Sequence, residues 1–143
     1  MEAMMSVGLE QTTEYFVEAV LWDFAAASCA GDWQRLADLY APDAKLLLSD
    51  WPPSNLSMGA RCFNRSEIRS TFERLWQNGN GPARLEILWV SSSAREGFAW
   101  VTTECVAHAA QGGNNQRLRM SVVLEERRAR WYIVQQHISP VTG

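Results

Sequence analysis

Ten residues near the C-terminus, Trp131-Tyr132-Ile133-Val134-Gln135-Gln136-His137-Ile138-Ser139-Pro140, constrain the fold more than any other stretch. Their β-branched and aromatic content suits a pleated, largely buried surface. Regular alternation places Trp131, Ile133, Gln135, His137 and Ser139 on one face and Tyr132, Val134, Gln136 and Ile138 on the other. The first face turns from apolar to polar along its length, as a strand does when it begins in a core and ends at a cavity mouth. Three polar side chains in succession on one face are hard to bury in a dry core. Gln135, His137 and Ser139 are therefore expected to line the wet end of a pocket. Pro140 ends the ladder because it has no backbone donor.

The rest of the chain reads as elements that give this ribbon something to pack against. Residues 1–12 are weakly patterned. From Thr13 the period becomes helical, with Phe16, Val17, Val20, Leu21, Phe24, Ala27 and Ser28 on one face. Trp22 lies off that stripe and is expected to bury its large ring elsewhere. Gly31 ends the helix, and Asp32 caps a short second one predicted over Trp33 to Tyr40, closed by Pro42. A first strand is expected from Ala44 to Ser49. The stretch from Trp51 to Phe63, with Pro52, Pro53 and Gly59, reads as an irregular connection. A third helix opens at Asn64 or Ser66, carries Ile68, Phe72, Leu75 and Trp76 at core spacing, and stops at Asn78-Gly79-Asn80-Gly81-Pro82. Four strands follow, predicted at Leu85 to Ser92, Phe98 to Ala109, Arg117 to Glu125 and Trp131 to Ile138.

Helices first and a meander afterwards imply an α+β domain, with helices on one face of a curved antiparallel sheet. At 143 residues, without repeat or linker, the chain reads as a single domain over 1–143 with an ordered core at about 13–140. A net charge of −3, with Arg127, Arg128 and Arg130 beside Glu125 and Glu126 in a hairpin turn, disfavours nucleic acid as a partner. No run has the apolar length of a membrane span, and residues 1–10 lack a signal-peptide pattern, so a cytoplasmic location is expected. Three scattered cysteines, Cys29, Cys62 and Cys105, suit reduced thiols better than a disulfide framework or a zinc site.

Several phrases in this order resemble the nuclear transport factor 2-like superfamily, in its SnoaL-like and ketosteroid-isomerase-like branches. They are Ala30-Gly31-Asp32-Trp33, Leu39-Tyr40-Ala41-Pro42-Asp43-Ala44, Ser66-Glu67-Ile68-Arg69, and Trp131-Tyr132-Ile133-Val134 with His137-Ile138-Ser139. The last also resembles the terminal strand of the calcium/calmodulin-dependent kinase association domain. The resemblance spans about Thr13 to Pro140. It implies a cystatin-like cone of three N-terminal helices on a strongly curved antiparallel sheet, open at one end, and a homodimer through the outer sheet face. Its ketosteroid isomerase machinery is not matched. Phe24 stands where that branch has a phenolic donor, Leu48 where it has the general base unless an insertion brings Asp50 there, and Val122 or its neighbours where it has a protonated acid. An oxyanion hole needs donors aimed at the developing charge, so ketosteroid isomerisation is not expected.

The catalytic candidates are Asp50 and His137. Asp50, at the expected cavity mouth, would act as a base if burial raised its pKa; otherwise it caps a turn before Pro52-Pro53. His137 would bind a ligand or shuttle protons; otherwise it is satisfied by Ser139 or a backbone carbonyl. The ligand-binding candidates are Trp51, Glu104, Gln135, His137 and Ser139. Phe98, Trp100, Thr102, Glu104, Val106 and His108 share one strand face, which serves either the pocket or the dimer. Glu104 and His108 would lie about 13 Å apart by strand rise, too far to share one ion, so neither a metal nor a cofactor is expected. Two functions remain open: a homodimeric domain holding a small apolar or amphipathic ligand, and an acid/base enzyme of isomerase, cyclase or hydrolase type acting on a carbonyl-containing or polycyclic substrate.

Overall fold

The computed structural model describes residues 2–49, 51, 60–77, 79, 81–109 and 114–141; the side chains of 2–12 and 60 stand outside that description. Helix α1 runs over Glu2–Ala30, eleven residues earlier than the apolar period that begins at Thr13. Its first turns are rich in Met, Glu, Ala and Gln, which propagate a helix without an amphipathic pattern. Gly31 closes it at φ +69°, while Gly31 N–H donates to Ser28 O at 3.1 Å and Asp32 N–H to Ala27 O at 3.0 Å. That pair of bonds is the Schellman arrangement, and a left-handed residue at its centre favours glycine.

Helix α2 (Trp33–Ala37) is capped by Asp32, whose carboxylate accepts from Arg35 N at 3.2 Å. It is shorter than the expected Trp33 to Tyr40, because strand β1 (Tyr40–Leu48) begins at its predicted end. Pro42 cannot donate to the ladder, and the β1 register slips between Tyr40 and Lys45. A short strand β2 (Ala60–Cys62) stands inside the stretch expected to be irregular, paired with Leu46 to Leu48. Helix α3 (Arg65–Gln77) opens with a reciprocal cap: Asn64 Oδ1 accepts from Glu67 N at 2.9 Å, and Glu67 Oε2 accepts from Phe63 N at 2.9 Å.

Strands β3 (Arg84–Arg95), β4 (Phe98–His108), β5 (Gln116–Arg127) and β6 (Arg130–Pro140) form the meander. The sheet order is β2-β1-β6-β5-β4-β3. The expected antiparallel sheet is in fact mixed, since β1 runs parallel to β6. The chain can reach that pairing because α3 and the whole meander separate the two strands, length enough for a parallel connection. The helices lie on one face, α1 against β3, β4 and β6, and α3 against β1 and β2, with α2 between α1 and α3. That inner face carries the small and aliphatic side chains Ala99, Val101, Cys105, Leu118, Val122 and Ile138.

Two bulges interrupt the alternation. In β3, Ile87 pairs with Cys105 and Trp89 with Glu104, leaving Leu88 extra. In β6, Ile133 pairs with Leu124 and Gln135 with Val123, leaving Val134 extra. Each exchanges the inner and outer faces for the rest of its strand.

Candidate functional site

The Val134 bulge decides the fate of the polar run on β6. Before it, Ile133 points inward; after it, Gln136 and Ile138 do. Gln135 and His137 are therefore exposed on the outer face, and half-buried Ser139 pairs with Arg119 there. The expected pocket-lining role of Gln135, His137 and Ser139 is corrected: one extra residue puts all three on the far side of the sheet from the helices. His137 Nε2 meets Ser49 Oγ at 2.9 Å, a partner just past the end of the parallel neighbour β1 that no local pattern announces. Trp51 is 5% exposed and belongs to the core. Asp50 lies outside the described residues.

Glu104 is also on the outer face, yet its side chain is only 6% exposed. Arg117 Nε donates to Oε2 at 3.0 Å, Arg119 Nη2 to Oε1 at 2.7 Å, and Trp89 Nε1 to Oε2 at 3.2 Å. The Leu88 bulge carries Trp89 to this face, which is why alternation along β3 does not reveal the pair. The Arg119 and Arg117 guanidiniums, with the Trp89 indole, hold the Glu104 carboxyl below its usual range against the opposing effect of desolvation. A depressed folded-state pKa stabilises the fold above the ordinary glutamate range, and that contribution is lost as pH falls through the folded value. Melting temperature should therefore decline in acid for the wild type, and more shallowly for Glu104→Gln. Parallel acid limbs for the two proteins would contradict this assignment.

Among the described residues, the inner face beneath α1 is nearly filled. Between α1 and the sheet, the space lined by Leu21, Phe24, Ile87, Thr103, Cys105 and Met120 amounts to about 10 Å³, at the lower limit for one water. The three positions that the ketosteroid isomerase resemblance singled out, Phe24, Leu48 and Val122, are core residues. Three buried polar side chains here have partners: the Tyr40 hydroxyl donates to Gln136 Oε1, Gln136 Nε2 contacts Met120 Sδ at 3.1 Å, and Thr103 Oγ1 donates to Trp89 O at 2.6 Å. Burial raises the Tyr40 phenol well above its ordinary pKa and pushes the Cys105 thiol up to about 11. Cys29 and Cys62 are likewise raised by burial, and all three cysteines are free. These are neutral thiols and a neutral phenol at physiological pH, not nucleophiles.

Among the described residues, space of ligand size lies beside α1. A cleft of about 440 Å³ opens between the middle of α1 and the β5–β6 hairpin. Phe16, Val20, Leu39 and Trp131 supply its apolar wall, and Asp23, Glu126 and Arg130 its polar rim. The hairpin reaches over through a tight turn in which Arg128 and Ala129 take φ +54° and +62° without a glycine. Arg130 is anchored by donating to Asp38 O at 3.1 Å and stacks over Tyr132 at 5.0 Å. Asp23 is tied to Arg35 at 3.0 Å. The helical period assigned Phe16 to the core stripe, but at the stripe's margin it is 55% exposed and faces this cleft. Trp22, expected to be buried, is also 55% exposed. Leu39 carries no local signal, because only the parallel β1–β6 pairing brings it to the hairpin that bears Glu126 and Arg130.

A mixed six-stranded sheet with three helices on one face, among the described residues, is the architecture of cystatin-like, nuclear transport factor 2-like proteins. Solved structures of that class superpose over most of the chain. A protein of unknown function with a cystatin-like fold from Nostoc punctiforme gives a TM-score of 0.77 at 11% identity, covering 91% of this chain and 92% of its own. A putative dehydratase of the nuclear transport factor 2-like family from Streptomyces avermitilis gives 0.73 at 17%, covering 93% and 99%. A putative calcium/calmodulin-dependent protein kinase II association domain from Xanthomonas campestris gives 0.67 at 23%, covering 87% and 85%. The chain belongs to the SnoaL-like domain family, whose profile matches residues 17–143. Among curated proteins, none matches. No helix among the described residues is long and apolar enough to cross a membrane.

Proposed function

We propose that this SnoaL-like domain is a cytoplasmic homodimer that holds a small amphipathic molecule without turning it over. The cleft of about 440 Å³ beside α1 carries the ligand half of this proposal. Its size falls within the usual range for small-molecule sites, and its lining combines an apolar wall with a few polar groups. The ligand's apolar body would lie against Phe16, Leu39 and Trp131, with its polar end at Arg130 and Glu126. Three free cysteines, none of them activated, suit a reducing compartment.

The dimer half rests on the outer sheet face, which the helices leave uncovered. Leu88, Trp89, Phe98 and Trp100 are 42%, 40%, 51% and 45% exposed there, more clustered aromatic surface than a monomer ordinarily presents. An acid/base enzyme has less support, since of its candidates Asp50 and His137 the described one, His137, lies on that outer face with Ser49 as its partner.

The cleft is tested with anilinonaphthalene sulfonate, an amphipathic fluorescent probe. Saturable binding to the native protein is expected, weakened about tenfold or more by Phe16→Ala, since removing a packed aromatic costs more than about 1.4 kcal/mol. Phe16 is exposed, so the fold survives its removal. Probe binding that is absent, or indifferent to this change, would overturn the assignment.

A further inference from the structure

Helix α1 is apolar on two opposite sides. Val17, Leu21 and Phe24 are buried against the sheet. At 100° per residue, Tyr15, Ala19, Trp22 and Ala26 fall along the diametrically opposite stripe. Tyr15 is 71% and Trp22 55% exposed, and Ala26 is exposed between α1's last turns. A helix with apolar side chains on both faces has a second surface to cover.

The spacing of that stripe specifies what covers it. Large and small residues alternate: Tyr15, Ala19, Trp22, Ala26. Two copies of the helix laid antiparallel, about a two-fold axis midway between Leu21 and Val20, place Tyr15 opposite Ala26 and Trp22 opposite Ala19. Every aromatic ring then meets an alanine of the partner, and the pattern is its own complement, as a two-fold contact requires. Of the acids flanking the stripe, Asp23 is paired with Arg35 at 3.0 Å, and Glu18 is turned toward β3, where it accepts from Ser92 Oγ at 2.7 Å.

We infer that α1 is a second self-association surface, on which a second copy of this chain docks its own α1 antiparallel through Tyr15 and Trp22. Ala19 belongs both to the stripe and to the cleft lining, so the docked copy forms part of the cleft's outer wall. The four rings of two copies cover roughly 500 Å² of their own surface and a similar area of the receiving helix. That total is at the low end for specific interfaces. The contact is weak by itself and becomes firm when it joins copies already paired through their sheets. In that respect it rests on the homodimer proposed above, and the two together give a dimer of dimers.

The test is sedimentation equilibrium of the full chain over a wide concentration range, with Trp22→Glu, Trp100→Glu and an exchange at positions 15 and 26. All four positions are exposed except for partial cover, and circular dichroism confirms that each variant folds. The wild type should reach a tetramer. Trp22→Glu should return it to a dimer, raising the upper dissociation constant at least about 30-fold, as loss of a central aromatic does. Tyr15→Ala and Ala26→Tyr should each weaken the tetramer, and the double exchange should restore it. A wild-type dimer that Trp22→Glu abolishes and Trp100→Glu spares would retain the α1 contact and remove the sheet dimer. An assembly indifferent to Trp22→Glu, a wild type that stays monomeric, or a double exchange that fails to restore what the single changes lose would overturn the α1 contact.

Discussion

Phe72→Ala is expected to cost about 3–5 kcal/mol, the range for emptying a fully buried aromatic site. Phe72 is 0% exposed and lies edge-on to Phe24, with ring centroids 5.6 Å apart, and to Trp76 at 6.0 Å. Trp76 continues the chain of rings to Trp33 at 5.8 Å. One side chain on α3 thus touches the ring on α1 directly and the ring on α2 through a single intermediary. Its removal leaves a cavity that the neighbouring rings cannot fill, because each is held by its own helix. Gly81 adds to their confinement: a Cβ there would stand 2.1 Å from the Trp76 ring, so the chain after α3 can close over the indole only as glycine. Urea unfolding should show a lower midpoint with an unchanged slope. A loss below about 1 kcal/mol would mean that the helices are not locked together at this point.

The second large effect concerns the buried pair Tyr40 and Gln136, at 0% and 1% exposure. The Tyr40 hydroxyl donates to Gln136 Oε1, and the amide's nitrogen has Met120 Sδ, a weak acceptor, at 3.1 Å. Gln136→Leu would leave the phenol without its acceptor in the core, at a cost of about 1–3 kcal/mol. Tyr40→Phe would strand the amide oxygen at a similar cost. The double variant Tyr40→Phe/Gln136→Leu should be more stable than the sum of the two losses, because neither stranded group remains. Additive losses in the double-mutant cycle would show that the two side chains do not depend on each other.

That pair also explains why the polar run on β6 misled a reading by alternation. Of the polar residues Gln135, Gln136, His137 and Ser139, the one that enters the core is Gln136, which strict alternation from Trp131 assigned to the other face. A side chain's period along a strand is local, but a bulge arises from how two strands of different length and twist share one ladder. Nothing in Val134 itself marks it as the extra residue. The same holds for Leu88 in β3, whose bulge brings Trp89 against Glu104. The cleft depends on a still longer-range fact, that β1 runs parallel to β6 and so carries Leu39 beside Trp131.

By itself, the sequence determined the strands of the meander, the turns at Gly97 and Arg128, the Gly31 stop and the Asp32 cap, and it grouped Ala99, Val101, Cys105 and Ala107 on one small face of β4. Those features follow from propensity, capping and uninterrupted alternation, all of which act within a few residues. The tertiary structure alone decided which polar groups meet and which face solvent: His137 with Ser49 outside, Gln136 with Tyr40 inside, Glu104 between two arginines, and Phe16 at the rim of a cleft. Each of these pairings joins segments far apart in the chain, and its partner is set by strand order and register, which depend on the summed packing of the whole sheet against its helices.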